Sequence, residues 1–188
     1  MTISGPAIAR LFLLGLVTSI LQLTAASQVS IFGVPMDLSP LIVASVGFLA
    51  GSVPGMIFGF CFGLFADTAL MQTLGVTSLV LTAVGYGAGR VRELRDPAHG
   101  LAPVAVGAAA TAIAALGITL LQFLLGVEAP VSAQVVRQIL MTIVLNTLLA
   151  LPVYAVCRRV LLPFLPDDPR RRRRRAYTTG GLSPLSRA

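Results

Sequence analysis

Along this chain, charged residues punctuate long apolar blocks. Arg10 to Asp37, Asp37 to Asp67, Asp67 to Arg90, Asp96 to Glu128 and Arg137 to Arg158 each enclose 20 or more uncharged, mainly apolar residues. A helix that crosses a bilayer needs about 20 such residues to span a hydrocarbon core of about 30 Å. The pattern therefore predicts membrane-crossing helices. The first runs from Ala7 to Ser27, with later ones at Leu74–Gly89, Leu101–Leu125 and Val136–Cys157. The first has features of a signal peptide: Arg10, an apolar stretch, then Thr24-Ala25-Ala26-Ser27 as a candidate cleavage site. Its long apolar core and the spans that follow favour an uncleaved anchor.

The block between Asp37 and Asp67 holds 29 residues. As one helix it would extend about 44 Å at 1.5 Å per residue, well beyond the hydrocarbon core. Gly51-Ser52-Val53-Pro54-Gly55 lies near its middle, a composition that breaks or turns helices. We therefore read two short spans, Leu38–Val53 and Pro54–Leu70. Charge parity supports the split. Arg10 and the cluster Arg90, Arg92 and Arg95 should share the cytoplasmic side, which requires an even number of crossings between them. The expected architecture is an all-α, six-transmembrane-helix bundle over residues 1–164 with both termini cytoplasmic. Asp37, Asp67 and Arg137 then fall at the outer face.

Composition sharpens this picture. Of 188 residues, 56% are hydrophobic and 11% charged. Water-facing domains carry about 25% charged residues, so too few are present here to cover a soluble surface. All 14 basic residues are arginines, and the net charge is +7. Six of them form the run Arg170, Arg171, Arg172, Arg173, Arg174 and Arg175 in a tail, residues 165–188, expected to be disordered. A run that follows a membrane segment fixes orientation and attracts anionic lipid, so lipid rather than nucleic acid is the expected partner. Cys61 and Cys157 sit in apolar stretches and read as small core residues, and His99 stands alone. No metal or cofactor site follows from these spacings.

Glycines recur every four residues at Gly47, Gly51, Gly55, Gly59 and Gly63, and Gly85, Gly87 and Gly89 repeat the device on the fourth span. Glycine on a membrane helix lets another backbone approach closely. The stripe is therefore a packing face, either within the chain or for a partner. Asp37 and Asp67 could form a carboxylate pair for acid–base work, but no nucleophile or phosphate loop accompanies them, and no enzyme is expected. Asp67 reads instead as a helix cap or as a partner of Arg137. Asn146, midway along the sixth span, reads as an interhelical hydrogen-bonding group.

The stretch from Met36 to Arg92 resembles the bacterial rod shape-determining MreD family. The resemblance is carried by Met36-Asp37-Leu38, by G-M-I-F-G-F-C-F-G-L-F-A-D from Gly55 to Asp67, by L-G-V-T-S-L from Leu74, and by G-Y-G-A-G-R from Gly85 to Arg90. Its motif positions are Gly59, Phe60, Gly63, Leu64, Asp67, Leu74, Gly75, Gly85 and Tyr86. The family pattern has Pro directly before the Asp that opens helix two; here Met36 intervenes between Pro35 and Asp37.

The resemblance implies a non-catalytic inner-membrane subunit of the cell-elongation machinery. Such a protein would associate with an MreC-like single-span partner, and through it with a RodA-type glycosyltransferase and a class B penicillin-binding transpeptidase. Self-association is a further option. The family is also similar in fold to the substrate-binding subunits of energy-coupling-factor transporters. A small-molecule-binding subunit of a vitamin-type importer is therefore the rival reading. Those subunits dock through an A-x-x-x-A motif on the first helix, and Ala7, Ala9, Ala25 and Ala26 contain no spacing of four.

Overall fold

The computed structural model describes residues 37–94, 102–126 and 133–161, together with positions 13, 15, 17, 30, 31, 34 and 35. Most of the first span, the arginine run and the rest of the tail lie outside the described residues. Positions 13, 15 and 17 are helical, and Gly15 lies against Phe58 and Phe62. Two short strands, β1 (Ser30–Ile31) and β2 (Val34–Pro35), pair antiparallel with Ser30 opposite Pro35. Five helices follow among the described residues: α1 (Ser39–Ala50), α2 (Ser52–Ala69), α3 (Val76–Leu94), α4 (Ala102–Leu124) and α5 (Ala133–Leu161).

The 29-residue block turns at Gly51. Its φ of 107° lies in the region that only glycine adopts without strain. The Gly51 N–H closes α1 on the Gly47 carbonyl at 2.8 Å, and the Gly51 carbonyl opens α2 on the Gly55 N–H at 3.0 Å. The turn comes two residues earlier than the composition suggested. Pro54 is the reason: it sits in the first turn of α2, where a missing N–H costs nothing. Pro40 occupies the equivalent place in α1.

From this turn α2 runs back along α1, with Gly55 beside Gly47 and Gly59 beside Val43. α3 then runs back along α2, Gly63 facing Ser78, Gly59 facing Leu81 and Gly55 facing Gly85. α4 and α5 form a second antiparallel pair, with Gly107 against Ala150 and Thr111 against Asn146. α1 lies between the two sets and touches all four other helices. Every residue from Ser39 to Leu49 is buried. A helix that is apolar all round has no face to offer water, and the fold places it at the centre.

The exterior is the reverse of a soluble protein's. Large apolar side chains stand exposed along α2 (Ile57, Phe60, Leu64), α4 (Leu116, Leu120, Phe123) and α5 (Leu140, Val144, Leu148). In water such a surface would drive aggregation; against lipid tails it has no penalty. Among the described residues, three helices are long and apolar enough to cross a bilayer: Ser52–Ala69, Ala102–Leu124 and the Val135–Leu161 portion of α5. At 12 residues, α1 extends about 18 Å and stops short of a full crossing. Cys157 is buried, but Cys61 is exposed on the outer side of α2, so it is not the core residue its apolar neighbourhood suggested. Local hydropathy does not say which side of an apolar helix faces inward.

Candidate functional site

The glycine stripe converges on one joint between α1, α2 and α3. A β-carbon on Gly55 would lie 2.5 Å from the Gly47 α-carbon and 2.6 Å from the Gly85 carbonyl oxygen. One on Gly59 would lie 2.7 Å from the Leu81 carbonyl carbon, and one on Gly63 2.7 Å from the Ser78 nitrogen. Gly89 meets the chain at Gly51 and Ser52 in the same way. Each obstructing atom is backbone, so no rotamer change relieves it. The stripe thus packs the chain's own helices. The expectation that it could also receive a partner helix is corrected: Gly55, Gly59, Gly63, Gly85 and Gly89 are buried by intramolecular contacts.

Polar side chains close this joint at both ends. At one end, Asp67 Oδ2 accepts the Gly75 N–H at 2.8 Å and the Ser78 N–H at 3.4 Å. These are the free donors at the start of α3, where a carboxylate also complements the helix dipole. Gly75, with φ of 93°, lets the chain enter α3 from the turn. The Ser78 hydroxyl adds a bond to the Phe60 carbonyl of α2 at 3.0 Å. Asp67 is 0% exposed, its carboxylate turned into the joint as the cap of α3. It makes no ion pair with Arg137, which is exposed on α5.

At the other end, Arg92 and Glu93 of α3 grip the two sides of the Gly51 turn. Arg92 Nη1 donates to the Leu49 carbonyl at the end of α1. Glu93 Oε1 accepts the Ser52 hydroxyl at 2.6 Å and the Ser52 N–H at 3.1 Å at the start of α2. A cation on a helix C-terminus and an anion on a helix N-terminus both match the backbone dipoles. Sequence reasoning treated Arg92 only as a topology marker and passed over Glu93. An acidic residue placed among Arg90, Arg92 and Arg95 was the available signal.

The Ser52 hydroxyl, then the Ser52 N–H and Arg90, hold the Glu93 carboxyl below its ordinary 4.5. A lowered folded value means that the contribution is present above 4.5 and disappears as pH falls through the folded value. Thermal unfolding in detergent should therefore show a loss of stability below pH 4.5. Glu93→Gln should flatten that part of the profile, and an unchanged profile would count against the clamp.

Asn146 is 1% exposed and joins the second helix pair to α1. Its Nδ2 donates to the Asp37 carbonyl at 2.7 Å and to Thr111 Oγ1 at 3.3 Å. Thr111 Oγ1 in turn donates to the Gly107 carbonyl at 2.9 Å. Asp37 Oδ1 accepts the Ser39 N–H at 3.0 Å, so Asp37 sits at the start of α1 and is partly buried. Interhelical polar bonds in membranes contribute about 0.6 kcal/mol on average and up to about 1.7. Asn146→Leu should destabilise the protein by about 1 kcal/mol, read as a lower unfolding midpoint in mixed micelles.

The remaining motif residues are not brought into the joint. Phe60, Leu64, Leu74 and Tyr86 are all exposed, with Tyr86 beneath the Arg90 guanidinium at 5.9 Å. No group of metal-binding side chains occurs among the described residues. The apolar exterior and the internal use of its few polar groups define an integral helical membrane protein. Within that class, the model for rod shape-determining protein MreD matches residues 6–160, and the chain belongs to the MreD family. No curated protein and no solved structure matches it.

Proposed function

We propose that this chain is a non-catalytic scaffold of the cell-elongation machinery, with six membrane-embedded helices, the short α1 among them, and both termini in the cytoplasm of a bacterial cell. The family is one of rod shape determination, and the match over residues 6–160 carries the reading. The chemistry of the interior supports it. Asp67, Glu93, Arg92 and Asn146 are each bonded to backbone that holds one helix to another. The scaffold would associate with an MreC-like single-span protein, and through it with a RodA-type glycosyltransferase and a class B penicillin-binding transpeptidase. Affinity purification from the native cell in mild detergent should recover that single-span partner; repeated recovery of the chain alone would sink the proposal. Reporter fusions at the two ends should both report the cytoplasm.

The rival importer reading needs space. Pockets for drug-sized ligands enclose about 300 Å³ or more. The cleft between α1, α4 and α5 encloses about 10 Å³, room for one water molecule. Thermal-shift screening against vitamins should accordingly show no stabilisation.

A further inference from the structure

Arg137 has no task inside the chain. It is exposed on α5, and no carboxylate among the described residues pairs with it. Asp67 is committed to the cap of α3, and Asp37 Oδ1 to the Ser39 N–H. With both termini in the cytoplasm, Arg137 alone of the 14 arginines in the sequence falls at the outer face. The positive-inside bias runs against that placement. The helix around it is bare: no residue from 135 to 145 is buried. Met141, Val144 and Leu148 follow Arg137 at steps of four, three and four, which sets all four on one stripe of α5. The three apolar members are 42%, 67% and 77% exposed. The α2 and α4 helices expose apolar side chains too, but no charge stands among them.

We propose that this stripe docks the apolar helix of a different, single-span membrane protein, with an Asp or Glu at the outer end of that helix paired to Arg137. Apolar contact alone does not separate a partner helix from lipid tails, because neither returns the side chains to water. The arginine makes the difference. A charge at one end of an apolar stripe fixes the register and direction of whatever carries its opposite. A second copy of this chain fits less well, since Asp67 and Asp37 are engaged within their own fold. A lipid phosphate is the remaining rival, because long basic side chains near a helix end reach the headgroups. The single-span character of the partner rests on the scaffold reading, while the surface itself is tested separately.

A photocrosslinking amino acid placed in the native cell at Val144, at Leu148 or, as a control, at Ile57 of α2 provides that test. Val144 and Leu148 should each give an adduct with one single-span protein that carries an acidic residue at the outer end of its span. Ile57 should give none. Arg137→Glu should lower the adduct yield about tenfold, as like charges meet across the contact. Arginine in place of the partner's acidic residue should restore it. The unfolding midpoint of Arg137→Glu in detergent should match the wild type, so that lost adduct is not lost fold. Adducts with lipid alone, adducts with a second copy, no adduct, or a yield indifferent to Arg137→Glu would each overturn the proposal. So would an adduct with the single-span partner at Ile57 instead, although the scaffold reading would survive that result. An adduct at Val144 with a single-span protein outside the elongation machinery would keep the surface and remove the scaffold reading.

Discussion

Replacing Gly85 with alanine should unfold or severely destabilise the protein, although the change adds a single methyl group. The new β-carbon would meet the Gly55 carbonyl, its carbon 2.6 Å away, with the Val43 side chain at 3.1 Å. Real β-carbons do not approach backbone that closely, so α3 must move off α2. That movement would open the contacts at Gly59, Gly63 and Gly89, which share the same helix pair. Overpacking of a well-fitted core costs about 1–3 kcal/mol, and a displaced helix pair belongs at or above the upper end. Gly55→Ala should behave the same way, because its β-carbon faces backbone on two sides.

Gly87 is the internal control. It lies on the same helix with nothing within 4 Å of the added carbon. Alanine is the better helix former there, by about 0.5–1 kcal/mol. Far-ultraviolet circular dichroism of heated detergent samples should therefore rank Gly87→Ala at or above the wild type and Gly85→Ala far below it. Indistinguishable midpoints for the two variants would mean that the joint is not where the helices touch.

The second large effect is expected at Asp67. Its alanine variant leaves the Gly75 and Ser78 N–H groups at the buried start of α3 without an acceptor. Buried donors left unmatched cost about 1–3 kcal/mol, and the helix also loses the negative charge at its positive end. Asp67→Asn should lose less, since an amide oxygen can still accept from Gly75. Its NH2 would fall where Oδ1 has no hydrogen-bond partner. Arg137→Gln should change the midpoint by no more than about 0.5 kcal/mol, as for other exposed positions. If Arg137→Gln reproduced Asp67→Ala, the carboxylate would be pairing across the surface and not capping α3.

Each of these effects depends on where a residue lies in the round, and the sequence carried that information unevenly. The length of the uncharged block from Asp37 to Asp67 required a break, because a straight helix of that length overshoots a bilayer. Glycine spacing required a face able to meet another backbone. Neither said whether that backbone belonged to this chain or to another. The answer lies in α3, whose own glycine Gly85 comes opposite Gly55 only after the chain has turned again between α2 and α3.

Polar residues were harder still. Asp67 and Asp37 stand at block ends, where a linear reading leaves Asp67 either a helix to cap or Arg137 to pair with and gives Asp37 no partner. In the fold, the free N–H groups of α3 and α1 draw both carboxylates toward helix starts. Asn146 could be recognised as an interhelical bridge because a strongly polar side chain in the middle of an apolar span needs a partner. Its partner, the Asp37 carbonyl, is 109 positions away and could not be foreseen. Glu93 and Arg92 offered no periodic signal at all, since their role is defined by a turn 41 to 43 residues earlier in the chain.

Solvent and helix length were thus written in the order of residues: hydrophobic content is a local property, and the bilayer reads it one segment at a time. Which apolar face turns inward, which glycine meets which backbone and which helix end each charge caps were decided only by tertiary contact. Those outcomes arise from pairings between distant segments, for which a single run of residues holds no record.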